Sequence, residues 1–320
     1  MPSSVDSRII DFHSHFYDRA WFPSPITPGL GVLARAWPLL TDIEGQLAAM
    51  DSAGIDAKVL SAPAALLIEP GKNLPITLME QINDRFAELV AAYPERLLAL
   101  ATIDAFQGEM AAREVERTIQ KLGLGGICVD CARGDRFLDA PEARPVLEAA
   151  AALGVVVFVH PISPAGLTER LSRLGHTGIL LARGTENAAR LLALLRSGTL
   201  DDLPGLKVVL PMIGAAVFLF AGIAEQDYER DEGWLGGSPG ITRQRLYVDT
   251  MGFDPAAIRF AIELLGSEHV LAGSDWPIMP IAPRQHVKEI LATLDLTDPQ
   301  RAAILGGNAL RLLTKHIASQ

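Results

Sequence analysis

Two histidines set two residues apart end an apolar run near the start of the chain, Ile9-Ile10-Asp11-Phe12-His13-Ser14-His15-Phe16. On a β-strand, residues i and i+2 face the same side. His13 and His15 can therefore aim both imidazoles at one point, and a point that needs two imidazoles is usually a metal ion. A lone His-x-His pair is common, so its weight comes from two stretches downstream. The apolar run Val155–Val159 leads into His160-Pro161, and Val270–Ala272 leads into Gly273-Ser274-Asp275-Trp276-Pro277. Taken singly, His160 reads as an ordinary satisfied polar residue and Asp275 as a helix cap. Three imidazoles and one carboxylate at three strand ends read instead as ligands to one divalent ion that keeps an open coordination position.

These residues need a scaffold that brings distant strand ends together. Short β-branched runs alternate with helical patterns along the chain. Strands are expected at Arg8–Phe12, Ala57–Ser61, Leu97–Thr102, Gly125–Val129, Val155–Val159, Lys207–Leu210, Leu246–Asp249 and Val270–Ala272. Between them the spacing predicts helices that include Asp42–Ala53, Asn73–Tyr93, Gly108–Leu122, Ala140–Leu153, Thr185–Arg196, Val217–Arg230, Pro255–Leu265 and Arg284–Leu294, with Gln300–Leu305 and Asn308–His316 at the end. Eight strands alternating with helices over this length is the count of a (β/α)8 TIM barrel, an α/β fold whose active site lies at the C-terminal strand ends. The competitor, a doubly wound open sheet, would carry G-x-G-x-x-G after its first strand, and none stands there. Residues 1–320 read as one domain. The stretch Phe16–Leu40 holds Pro23, Pro25, Pro28, Pro38, Gly29 and Gly31, too many breakers for a helix, and is expected to be an irregular lid loop. Its aromatics Phe16, Tyr17, Trp21, Phe22 and Trp37 would cover either a ligand or the barrel's own top layer.

Composition narrows the partners. The chain is acidic, with a net charge of −10 and no basic run, which disfavours nucleic acid and anionic membrane. The longest apolar run, Val208–Ala224, is interrupted by Pro211, Gly214 and Gly222 and is short for a membrane span. The first eight residues lack the apolar core of a signal peptide. The two cysteines, Cys128 and Cys131, make no disulfide framework, so the cytoplasm is the expected compartment. A C-x-x-C pair without a second pair is a weak metal or redox sign, and Cys128 on a strand reads as core.

Taken together, His13-x-His15, His160-Pro161 and Gly273-Ser274-Asp275-x-Pro277 resemble the amidohydrolase superfamily. The nearest branch is that of 2-amino-3-carboxymuconate-6-semialdehyde decarboxylase and the metal-dependent hydroxybenzoate decarboxylases. The likeness runs from about Arg8 to Leu313. It includes Asn83, Tyr93-Pro94-Glu95-Arg96, Gly123-x-Gly125-Gly126, Leu203-Pro204-x-Leu206-Lys207, Leu246-Tyr247-Val248-Asp249-Thr250 and Gly307-Asn308-Ala309. The resemblance implies one divalent metal, zinc first and manganese second, held by His13, His15, His160 and Asp275. Binuclear members add a carboxylated lysine on strand four, and this chain has none there. Homodimerisation or higher assembly is a further implication.

The departure lies after strand six. The family reads roughly His-x-Gly-Gly there, and that histidine is its acid–base group. This chain reads Leu210-Pro211-Met212-Ile213-Gly214-Ala215-Ala216. Methionine cannot transfer a proton and is a poor ligand for zinc or manganese. The first expectation is a metal-dependent decarboxylase of a small aromatic or ring-cleaved carboxylate, with Asp275 as ligand and proton carrier. The alternatives are a metal-dependent hydrolase of an amide or lactone, and a ligand-binding barrel that has lost catalysis. Candidate substrate contacts are Arg19 and Arg35 on the lid, Met212, Asp249 at the end of strand seven, and Trp276. Arg133 and Arg183 are further cations expected at the rim, suited to a carboxylate by their planar guanidinium groups.

Overall fold

The structure is a computed structural model that describes residues 8–22, 32–220, 244–279 and 283–313. Eight parallel strands follow one another around a single sheet: β1 (Ile10–His15), β2 (Ala57–Ser61), β3 (Leu97–Ile103), β4 (Gly126–Asp130), β5 (Val156–His160), β6 (Lys207–Leu210), β7 (Leu246–Asp249) and β8 (Val270–Leu271). The sheet closes between its first and last members. Phe12 N donates to Ala272 O at 2.8 Å and His15 N to Trp276 O at 2.8 Å, and Ser14 forms an isolated parallel bridge with Trp276. This closure makes the fold a (β/α)8 barrel and excludes the open doubly wound sheet.

Alternate strand positions supply the interior. Ile10, Phe12, Val59, Leu100, Cys128, Phe158, Val209 and Leu271 form one buried apolar cluster, joined by Ala309, Leu312 and Leu313 of the last described helix. A larger cluster packs the outer strand faces against the helices. Backbone approach is close where β3, β4 and β5 meet. A Cβ on Gly126 would lie 2.6 Å from Val156 Cγ1 and 2.8 Å from Val156 O, so only glycine fits.

Local signals explain several helix limits. Asp42 caps α2 (Ile43–Ala53), accepting from Gly45 N at 3.0 Å, and Gly54 ends it at φ 63°. The order continues with α3 (Ile76–Ala92), α4 (Glu109–Gln120), α5 (Arg144–Leu153), α6 (Leu167–Ser172), α7 (Gly175–Arg196), α8 (Thr199–Asp202), α9 (Pro255–Leu265), α10 (Pro283–Thr293), α11 (Asp298–Ala302) and α12 (Asn308–Leu313).

Three stretches differ from expectation. The supposed irregular loop contains helix α1 (Val32–Leu40) as well as a short 3-10 turn at Arg19–Trp21. The run between Gly31 and Pro38 is free of breakers, and Pro38 stands in the last turn, where it forgoes one helical N–H bond but interrupts little helix beyond it. Residues 23–31 of that stretch lie outside the described residues. Helix α7 starts ten residues earlier than the pattern indicates. A Cβ on Gly178 would lie 2.0 Å from Leu171 O, so glycine there permits close packing of α6 on α7. After β6 the chain forms a 3-10 helix over Met212–Phe220, and the rest of the helix expected at Val217–Arg230 lies outside the described residues, as do residues 314–316.

Candidate metal centre

The ligand-bearing strand ends meet in the barrel mouth. His13, His15, His160 and Asp275 are all buried and offer ligand atoms within 4.8 Å of one another. Four ligands around one ion at about 2.1 Å would lie about 3–4 Å apart, so the cluster needs only a small contraction to hold a metal. The rings of His13 and His15 are 5.1 Å apart at 89°, and those of His15 and His160 are 5.1 Å apart at 90°. His13 Nε2 and His160 Nδ1 are buried without hydrogen-bond partners. Orphaned nitrogens of this kind are costly in an apolar site and are what a bound cation would satisfy.

Supporting contacts fix the rings. His13 Nδ1 lies 2.6 Å from Asp249 Oδ2, and both side chains are almost fully buried. The Asp249 carboxylate favours the tautomer with hydrogen on Nδ1, leaving the Nε2 lone pair for a metal. Asp249 also accepts from Met251 N at 3.1 Å and from the backbone N–H of Ile213. It therefore stands behind His13 rather than offering a free oxygen to a substrate. His15 Nδ1 lies 3.0 Å from Ser61 Oγ, and His15 Nε2 lies 3.0 Å from Asp275 Oδ1. Asp275 sits in the left-handed region at φ 56°, uncommon outside glycine, and its N donates to His13 O at 2.7 Å.

Three of the four groups, His15, His160 and Asp275, are shifted toward the forms that bind a cation. Burial, then the charges of His15, Arg183 and His13, hold the His160 pKa well below its ordinary value. Burial also lowers that of His15, against the hydrogen bond to Asp275. Burial opposes the charged form of His13, but its hydrogen bond and charge pairing with Asp249 raise its pKa overall. Burial pushes Asp275 up, but His15, His13 and Arg183 more than offset it, so the carboxylate stays ionised. Ionised carboxylate and neutral imidazoles are the forms that bind metals.

The other candidates take varied places. Met212 is half-buried directly after β6 at φ 59°, followed by Ile213 at φ 58° and Gly214 at φ 70°. Its neighbour Ile213 reaches Asp249, which places Met212 one residue from the pair that holds His13. Trp276 is buried. Its backbone closes the barrel, and Lys58 Nζ lies 5.0 Å from its ring centroid. Arg19 is exposed and donates to Thr41 Oγ1 at 3.0 Å, and Arg35 is exposed on α1. Phe16, Tyr17 and Trp21 join the outer core, where Trp21 packs on Phe86 of α3. Arg133 is buried between Asp104 at 3.1 Å and Asp130 at 3.2 Å, so it has no free face at the rim. Cys128 and Cys131 are buried free thiols. Three supports went unread in the sequence: the Asp249–His13 pairing, the Ser61–His15 contact, and Asp11, which accepts from Ser274 N at 3.0 Å.

A buried histidine–carboxylate cluster at the C-terminal mouth of a (β/α)8 barrel is the donor set of a divalent-metal site. The amidohydrolase family matches residues 10–315, and the chain belongs to that family. Among individual proteins, it is 29% identical over 306 residues to a gamma-resorcylate decarboxylase of Polaromonas sp., covering 87% of this chain and 90% of that one. It is 27% identical over 244 residues to 2-amino-3-carboxymuconate-6-semialdehyde decarboxylase of Dictyostelium discoideum, covering 74% and 67%. Among solved structures, 5-carboxyvanillate decarboxylase of Sphingomonas paucimobilis superposes with a TM-score of 0.81 at 26% identity, covering 96% of this chain and 99% of that one. A dihydroxybenzoic acid decarboxylase of Polaromonas sp., solved with manganese and the inhibitor 2-nitroresorcinol, gives 0.78 at 25%, covering 96% and 97%. No helix among the described residues is long and apolar enough to cross a membrane.

Proposed function

We propose that this protein is a metal-dependent, non-oxidative decarboxylase of a small hydroxybenzoate-type carboxylate. The convergence of His13, His15, His160 and Asp275 in the mouth carries the reading. The substrate class is supported by relatives named for gamma-resorcylate and 5-carboxyvanillate. The three-nitrogen, one-oxygen donor set accepts either zinc or manganese. Manganese takes precedence over the zinc expected first, because the Polaromonas structure was solved with it. When bound, the ion would anchor the acid and stabilise the charge that develops as carbon dioxide leaves.

The chain's own residues account for orientation and proton movement. Asp249 and Ser61 hold the rings of His13 and His15. Loss of carbon dioxide from an aromatic acid requires a proton to reach the ring carbon that bore the carboxylate. Met212 cannot supply it. Asp275 Oδ1 is engaged by His15, while no described hydrogen bond occupies Oδ2, so the ionised Oδ2 is the proposed proton carrier: it would take the proton of the acid's own ring hydroxyl and deliver it to that carbon, and the phenolate left as carbon dioxide departs would regain a proton from water. A homodimer or larger assembly belongs to the same proposal on family resemblance, and light scattering tests it.

The direct test is carbon dioxide release from 2,6-dihydroxybenzoate, 5-carboxyvanillate and 6-methylsalicylate by manganese-loaded protein, with ester, amide and lactone controls. Hydrolysis of a control without carbon dioxide release would move the protein to the hydrolases. Met212 favours a second reading, a barrel that binds an acid without turning it over. Met212→His separates the two. It should lower an existing native activity under the first reading, and create activity where none existed under the second.

A further inference from the structure

Arg183 stands on α7, the long helix that follows β5. It is half-buried, and its Nη1 donates to Ser163 Oγ at 3.4 Å, three residues beyond His160. That long contact is its sole hydrogen bond among the described residues, and no carboxylate there pairs with it. The natural helical partner one turn on, Glu186, is taken by Arg190. Arg133, the other cation expected at the rim, is held by two aspartates. Arg183 thus keeps its donors unspent beside the strand end that carries a metal ligand.

Ser163 lies on the loop that leaves the C-terminal end of β5, so its contact with Arg183 sets the guanidinium at the rim of the mouth, three residues from the His160 ligand. Asp275 and Asp249 would together offset the charge of a divalent ion, which leaves the Arg183 charge without a matching anion among the described residues. A planar guanidinium is matched to a carboxylate by two parallel N–H donors.

We infer that Arg183, rather than Arg19 or Arg35, is the residue that clamps the carboxylate of the incoming acid, using the guanidinium face left free beside Ser163. The inference rests on the proposed carboxylate substrate and adds the residue that selects it. It predicts discrimination between an acid and its uncharged amide. Both would approach the metal, but only the acid would gain a charge-assisted bidentate contact.

The test uses manganese-loaded full-length protein and two probes, 2,6-dihydroxybenzoate and 2,6-dihydroxybenzamide, titrated by calorimetry into wild type, Arg183→Met and Arg183→Lys. Arg183→Met should weaken the acid by about 10–100-fold, the span of one lost charge-assisted contact, and the amide by less than about threefold. Arg183→Lys should fall between, because it keeps the charge and loses the fork. Metal content should be unchanged in all three. Equal weakening of acid and amide, undiminished acid affinity in Arg183→Met, or no wild-type preference for the acid would each overturn the clamp. Carbon dioxide release is scored separately. Preference for the acid without turnover would sink the decarboxylase reading and leave the clamp standing. Turnover with unchanged kcat/KM in Arg183→Met would do the reverse.

Discussion

Replacing Asp249 by asparagine should weaken metal binding without removing a ligand. Asp249 touches the centre only through His13, across 2.6 Å between two side chains with almost no solvent exposure. The asparagine carbonyl can replace only one of the two carboxylate oxygens, Oδ2 facing His13 Nδ1 or Oδ1 facing Met251 N, so the change removes the negative charge and one of these hydrogen bonds while leaving every metal ligand in place. That charge raises the basicity of His13 and fixes its ring. Supporting carboxylates of this kind contribute about 10–100-fold to metal affinity. The expected loss is therefore about 1.4–2.7 kcal/mol, at 1.4 kcal/mol for each tenfold. Competition for manganese against a fluorescent chelator measures it, with far-ultraviolet circular dichroism as a folding control. His13→Ala should cost more, because it removes a ligand. The decisive comparison is the double variant. In a His13→Ala background, Asp249→Asn should change metal affinity by less than about twofold, since its route to the ion is gone. Equal losses from Asp249→Asn in both backgrounds would refute the reasoning, as would metal affinity within threefold of wild type in the single variant.

Other outcomes follow from the packing. Gly126→Ala would drive a methyl group into Val156 and should destabilise the fold by about 1–3 kcal/mol, read as a lowered denaturation midpoint, with no compensation from added metal. Gly273→Ala would set its Cβ 2.8 Å from that of Asp249 and 2.9 Å from that of His13, and should reduce metal content more than it reduces stability of the metal-free protein. Burial pushes the Cys131 thiol up to about 12 and raises Cys128 well above its ordinary range. Native protein at pH 8 should accordingly leave both thiols unreactive toward a disulfide reagent, and both should react once it is denatured.

The ligand set was legible because its signals are local. A two-residue spacing on a strand and a histidine or aspartate at a strand end survive as patterns in the chain. The strand count was legible for the same reason, since buried parallel strands read as continuous apolar runs. The supports were not, because a pairing such as His13 with Asp249 joins residues 236 apart and depends on barrel closure. The rim cations show the same limit. Arg19, Arg35, Arg133 and Arg183 all read as rim arginines, and only their partners in space distinguish the occupied Arg133 from the unspent Arg183. The first ten residues of α7 depend on packing in the same way, since Gly178 serves there as a point of close approach to Leu171.

The barrel's seam bears on how the molecule is born. Its last strand is only two residues long, and its closure relies on contacts that the segment 272–276 makes with β1. The same segment brings Asp275 to His13 and His15. A ribosome has made most of the chain before that segment emerges, so the early histidines must wait with their imidazoles unassembled. A metal taken up at that point would bridge the first and last parts of the sequence in one event. Metal supply during synthesis should therefore govern yield as well as activity. Cells starved of manganese and zinc should accumulate a protease-sensitive form cut preferentially near the seam, and metal added after lysis should protect only the chains that have already closed.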